Sequence, residues 1–204
     1  MDASWDDSRR AFADAADWFV HTVGLVGHRW DQPGLGEWDV RALVGHTSRS
    51  FLTVETYLER PATDVDVSSP AEYFRTSRAV AAGPAVAARG RDAGTALGPD
   101  PAAAVAGIAA RVVRLLDIRD GSELLTTIVG GMRLGDYLPT RTFELAVHTA
   151  DLATAIAEAV DIPMTAAAQA LQVVSDLALV DGHAGSLLLA ATGRAGLPTG
   201  FSVL

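Results

Sequence analysis

The sequence predicts an all-α protein with one small β-hairpin. Three observations carry that expectation. Alanine and leucine dominate while aromatic residues make up only 6% of the chain, a bias toward good helix formers. Apolar residues recur at three- and four-residue spacing through most of the sequence, the period of a helix that buries one face. Proline, glycine and aspartate fall between those segments, where helices start and stop. At 204 residues the chain suits one domain with a sizeable core.

Taken in order, the first helix is expected from a cap at Ser4 or Asp6 to about Gly27, with Phe12, Ala16, Phe19 and Val23 at helical spacing. Residues 29–38 are rich in glycine and proline and read as a loop. Asp39 reads as the N-cap of a second helix to about Leu58, its core stripe being Val40, Leu43, Val44, Thr47, Phe51, Val54 and Leu58. Residues 61–70 form a polar connection. Helices follow over 71–97, broken near Gly83-Pro84, and over 101–118. Within 124–138 the strand formers Thr126 to Val129 precede Gly130-Gly131, which suggests a hairpin. Pro139 fits the first turn of the next helix. Asp161-Ile162-Pro163 separates that helix from a last helical stretch over 165–191, and Gly193 reads as its C-cap.

Composition removes several classes of function. The 49% hydrophobic and 20% charged content is that of a folded globular protein. A net charge of −9, with arginine as the sole basic side chain apart from histidine, argues against a binder of duplex nucleic acid. No run of about 18 apolar residues exists to span a membrane. The acidic start Met-Asp-Ala-Ser-Trp-Asp-Asp-Ser has no apolar signal segment, so a cytoplasmic location is expected. With no cysteine, any metal must be held by His, Asp or Glu, and any thiol chemistry needs an external thiol.

The most informative run is Phe-Glu-Leu-Ala-Val-His-Thr-Ala-Asp, residues 143–151. On a helix turning about 100° per residue, Glu144, His148 and Asp151 share one face, and Arg141 extends it one turn upstream. A carboxylate and an imidazole at i, i+4 can grip one divalent cation from a single helix, although the same pattern also arises on a plain solvated face. For a third ligand the other histidines are available. His21 and His28 lie on or just past the first helix. His46 sits on the second helix beside Gly45, with Ala42 and Ser50 one turn away, small residues that let another helix approach. His183, after Asp-Gly, is its rival.

Trp-Asp-Val-Arg-Ala-Leu-Val-Gly-His (38–46), followed by Glu-Leu-Ala-Val-His-Thr-Ala-Asp-Leu (144–152), resembles the mycothiol-dependent maleylpyruvate isomerase family. That family belongs to the DinB-like superfamily of metal-binding four-helix bundles. The resemblance runs from the first helix to residue 158 and more loosely to Leu-Ala-Ala-Thr-Gly-Arg, 189–194. It implies a DinB-like bundle over 1–158 with a helical extension, 159–204, packed on the same domain. It implies a divalent metal, zinc or another such as nickel, held by His46, Glu144 and His148, and a fourth position for mycothiol acting on a small electrophile. Asp151 would then accept a hydrogen bond from a ligand histidine, and Arg141 would hold an anionic substrate or pair with Glu144. The isomerase that names the family carries a further C-terminal domain, whereas about 40 residues follow the metal-bearing helix and its loop here. A stand-alone thiol transferase is therefore expected ahead of maleylpyruvate isomerisation. The alternative is a non-enzymatic metal-binding or stress-response protein. Neither a nucleic acid nor a membrane is expected as a partner, and a homodimer is the assembly considered.

Overall fold

In the computed structural model, which describes residues 4–81 and 84–204, Ser4 caps helix α1 (Trp5–Gly24) by accepting from the Asp7 N–H at 3.2 Å. Residues 1–3 of the acidic start lie outside the described residues, as does Gly83 of the expected helix break. Helix α1 ends three residues before the expected Gly27. The expected loop after it holds a short antiparallel ribbon, β1 (Pro33–Leu35) on β2 (Trp38–Asp39), too brief to leave a periodic pattern. Asp39 then caps α2 (Val40–Leu58), its Oδ1 accepting from the Ala42 N–H at 2.7 Å.

Helices α3 (Pro70–Ala81) and α4 (Pro84–Ala96) follow. Asp100 caps α5 (Pro101–Asp117), with Pro101 in the first turn. The hairpin forms from β3 (Leu124–Thr127) and β4 (Gly130–Arg133), but its turn is at residues 128–129 and not at Gly130-Gly131. The two glycines answer to a different neighbour. Gly131 exchanges hydrogen bonds with Asp66, and its carbonyl also accepts from the Val67 N–H. A Cβ on Gly130 would lie 2.7 Å from Asp66 Oδ2, and one on Gly131 would strike the Asp64 carbonyl. Glycine is there so that the 61–70 connection can lie against the strand.

Helix α6 (Leu134–Ala155) begins five residues before Pro139, which therefore sits in its second turn and not in the expected first turn. The proline removes the amide that would bond the Gly135 carbonyl. Full burial of Leu134, Tyr137 and Leu138 holds the extra turn in place. The expected last helical stretch is two helices, α7 (Met164–Val180) and α8 (Ala184–Ala191). They part at Gly182, whose φ of +75° lets the His183 N–H reach back to the Ala178 carbonyl. Gly193, at φ +70°, follows α8 as read from the sequence.

Helices α1 and α2 each pack against both α5 and α6, which closes a four-helix ring. The predicted stripes supply its core. Phe12 and Phe19 of α1 meet Phe51 of α2 at centroid distances of 5.7 and 6.1 Å, all three fully buried. Helix α4 lies on α2, and α7 covers α6 and α1. No helix of the described residues is long and apolar enough to cross a membrane.

Candidate metal centre

The first component is His46, whose place on α2 depends on the glycine before it. A Cβ on Gly45 would sit 2.6 Å from the Ala93 carbonyl carbon and closer still to the Gly94 backbone, and a Cβ on Gly94 would sit 2.6 Å from the Arg41 carbonyl. The backbones of α2 and α4 therefore touch through a glycine pair, the close approach that the small residues around His46 suggest. Helix α4 in turn fixes Trp38, whose Nε1 donates to the Ala87 carbonyl at 3.1 Å. The Trp38 ring covers His46 at a centroid distance of 4.4 Å.

Helix α6 brings the remaining groups. His148 lies between two carboxylates, its Nε2 at 3.2 Å from Glu144 Oε2 and its Nδ1 at 3.1 Å from Asp151 Oδ2. The His46 and His148 rings meet edge to face at 4.9 Å. One ligand atom each from His46, Glu144 and His148 falls in a group whose members all lie within 4.8 Å of one another. A tetrahedral site with bonds of about 2 Å needs its ligand atoms about 3.3 Å apart, so small rotations of these side chains suffice. The Glu144 and His148 side chains are 22% and 17% exposed.

The electrostatics follow from the packing. Burial, with the charge of His148 second, lowers His46 to about 4, so this ring is neutral at pH 7. Burial alone would also favour a neutral His148, but the hydrogen bonds to Asp151 and Glu144 outweigh it and carry the ring up to about 9. Burial opposes ionisation of Glu144 as well. The hydrogen bond from His148 and the charge of Arg141 nevertheless hold its carboxyl down to about 2. Two imidazoles and a carboxylate are a hard-to-intermediate donor set that suits zinc and its neighbours. The fit has an independent sign: His46 Nδ1 is buried without a hydrogen-bond partner among the described residues, and coordination is one way to use such a nitrogen.

The other sequence candidates divide. Asp151 stands where a carboxylate orients a ligand histidine. His183 is apart from the group, packed on Phe201 at 5.5 Å. The expected ion pair between Arg141 and Glu144 is not formed: the guanidinium is turned onto the rings of Tyr137 and Tyr73, at 5.0 and 5.4 Å, and its Nε donates to Thr140 Oγ1. One aromatic face from α3 and one from α6 itself compete successfully for that charge. Sequence reasoning assigned no role to Trp38, Arg49 or Tyr73. Trp38 stood inside the 38–46 motif, and its position eight residues before His46 was the available signal.

Residues 10–153 match the model of the family described as mycothiol maleylpyruvate isomerase N-terminal domain. The chain belongs to that family, whose domain is DinB-like. No curated protein and no solved structure matches it. All three grouped residues, together with Arg141 and Asp151, fall inside the matched segment.

Proposed function

From that membership we propose a metal-dependent enzyme that uses mycothiol on a small electrophile, with zinc as the metal held by His46, Glu144 and His148. The observation that carries this reading is the convergence of two imidazoles and one carboxylate from two helices, inside the segment that matches the family. Three protein ligands leave a fourth position for a small molecule. When bound, zinc supplies the positive charge that makes a thiol a thiolate near neutral pH.

The side chains of this chain supply the rest. Asp151 takes the Nδ1 proton of His148 in a hydrogen bond, which leaves the Nε2 lone pair facing Glu144 and His46. Trp38 covers one side of His46 and keeps water from that side of the site. Because the chain contains no cysteine, the nucleophilic sulfur belongs to the cosubstrate. Its attack forms a carbon–sulfur bond at an activated double bond, and the electron pair moves onto the adjacent carbon. Protonation of that carbon completes a thioether. If the bond instead rotates and the sulfur leaves again, the product is a geometric isomer.

The test is turnover by zinc-loaded protein with mycothiol and a panel of small electrophiles, following both free thiol and product. The reading predicts conversion that requires zinc and disappears in His148→Ala. Zinc-loaded protein that converts no electrophile would instead favour a metal-binding protein without turnover.

A further inference from the structure

Helix α7 carries two apolar stripes, and the chain covers one of them. Ala166, Ala170, Val173 and Leu177 are buried at the spacing of a core-facing helix, where α7 packs on α6 and α1. On the opposite side Met164, Ala168, Leu171, Ser175 and Leu179 repeat at the same three- and four-residue spacing, and all five are exposed. The three large ones are 86%, 63% and 66% exposed. Helix α8, packed on α7, buries none of its residues and adds Leu188 and Leu189 to the exposed apolar surface. Single exposed leucines are ordinary. A helix that is apolar on both sides is one that other surfaces cover on both sides.

The charge distribution selects the partner. The chain carries −9 overall, yet residues 162–193 contain only two charged side chains apart from His183, Asp176 and Asp181, and no arginine. Neither aspartate belongs to the outer stripe. Asp181 is ion-paired with Arg75 and Arg78 of α3, and Asp176 accepts from Gln172 Nε2 at 2.8 Å. A helix that lies on an anionic lipid surface needs basic flanks, which this one lacks. A strongly charged protein partner would find nothing to pair with. A second copy of the same uncharged surface meets it without like-charge repulsion.

The stripe is also its own complement. From Met164 to Leu179 it covers about 22 Å of helix, with Leu171 near the middle. Laid antiparallel on its copy about a two-fold axis, Leu171 meets the partner's Leu171 and Met164 faces the partner's Leu179. Ala168 then faces the partner's Ser175, and these small residues let the helices approach between the large ones. The large side chains of α7 and α8 present on the order of 300 Å² of apolar surface, at about 100 Å² for each when fully exposed. Their neighbours, and an apolar groove of about 330 Å³ between α6 and α7 of which Leu171 is one wall, extend the face toward the roughly 800 Å² that each partner of a stable dimer buries.

We propose that two copies of this chain pair through the outer face of α7, antiparallel about a two-fold axis, with α8 at either end of the contact. The pairing covers the α6/α7 groove, whose lining includes Asp151, the carboxylate bonded to His148. It holds whatever reaction the metal group performs.

Sedimentation equilibrium of the full chain tests the pairing. The parent should be dimeric at about 50 μM, and Leu171→Glu, which sets two carboxylates together at the axis, should raise the dissociation constant at least about 100-fold. Met164→Glu places an acid in a first helical turn, where it favours the helix, and should weaken the dimer without any loss of fold. Ile118→Glu, at an exposed apolar residue after α5, should leave the dimer intact. Because the chain has no cysteine, mild oxidation of Leu171→Cys should join two copies by a disulfide, and Ile118→Cys should stay unlinked. A monomeric parent, a dimer that survives both glutamate substitutions on α7, or equal cross-linking of the two cysteine variants overturns the proposal. A monomeric parent that binds phosphatidylcholine vesicles would overturn it in favour of a membrane.

Discussion

Gly45→Ala perturbs the site without altering His46, Glu144 or His148. The added methyl would meet the Ala93 carbonyl carbon at 2.6 Å, where carbon–carbon contacts settle at about 3.5–4.0 Å. The atoms in the way are backbone atoms of α4, so no side chain can rotate aside and the helix must retreat by about 1 Å or more. Overpacking of this kind costs about 1–3 kcal/mol. Because α4 also accepts the Trp38 Nε1–H at Ala87, the retreat loosens the ring that covers His46, and zinc affinity should fall with stability. Gly107→Ala is the control: it lies on an exposed face of α5 with nothing within 4 Å of the new methyl, and should stabilise by about 0.5–1 kcal/mol. Urea unfolding of the three proteins, paired with competitive zinc titration, reads both effects. If Gly45→Ala unfolds at the parental midpoint and binds zinc as the parent does, the account of how α4 positions His46 is wrong.

Asp151→Asn keeps the size of the side chain but weakens the 3.1 Å hydrogen bond from His148 Nδ1. It should lower zinc affinity or turnover by about 10–100-fold, measured by chelator competition, with the fold unchanged by circular dichroism. The pH dependence has a definite sign. His148 is raised to about 9 in the metal-free fold, so its contribution to stability is fully present below its ordinary value of 6.5 and is lost as pH rises through about 9. Zinc must displace that proton. Binding at pH 7 should therefore release about one proton, and affinity should climb about tenfold per pH unit toward pH 9. Calorimetric titration in buffers of different ionisation enthalpy measures the release. No release at pH 7 would show that His148 gives up no proton to the metal.

Local features of this chain were readable in advance. Asp39 caps α2 through a hydrogen bond that spans three residues, and the stripe from Val40 to Val54 is buried as its period implies. Glu144, His148 and Asp151 come together on one helix, so spacing alone groups them. What spacing could not supply was their partner: His46 lies about a hundred residues away, and only the resemblance of residues 38–46 singled it out against His183. The misread elements have non-local causes. Gly130 and Gly131 are dictated by Asp64 and Asp66 in a connection far along the chain, not by their own turn. Pro139 tolerates the second turn of α6 because Leu134 and Tyr137 are buried by other helices. Arg141 chose tyrosines from α3 and from its own helix over the carboxylate one turn away, a competition that needs the tertiary structure to decide.

The central claim is that His46, Glu144 and His148 hold one divalent ion between α2 and α6. Anomalous diffraction at the zinc edge, from crystals of the metal-free protein soaked in zinc, tests it without reference to any reaction. The account predicts a strong peak about 2 Å from one ligand atom of each of the three side chains. Zinc bound at His183 or at scattered surface carboxylates, with no peak between α2 and α6, would contradict it.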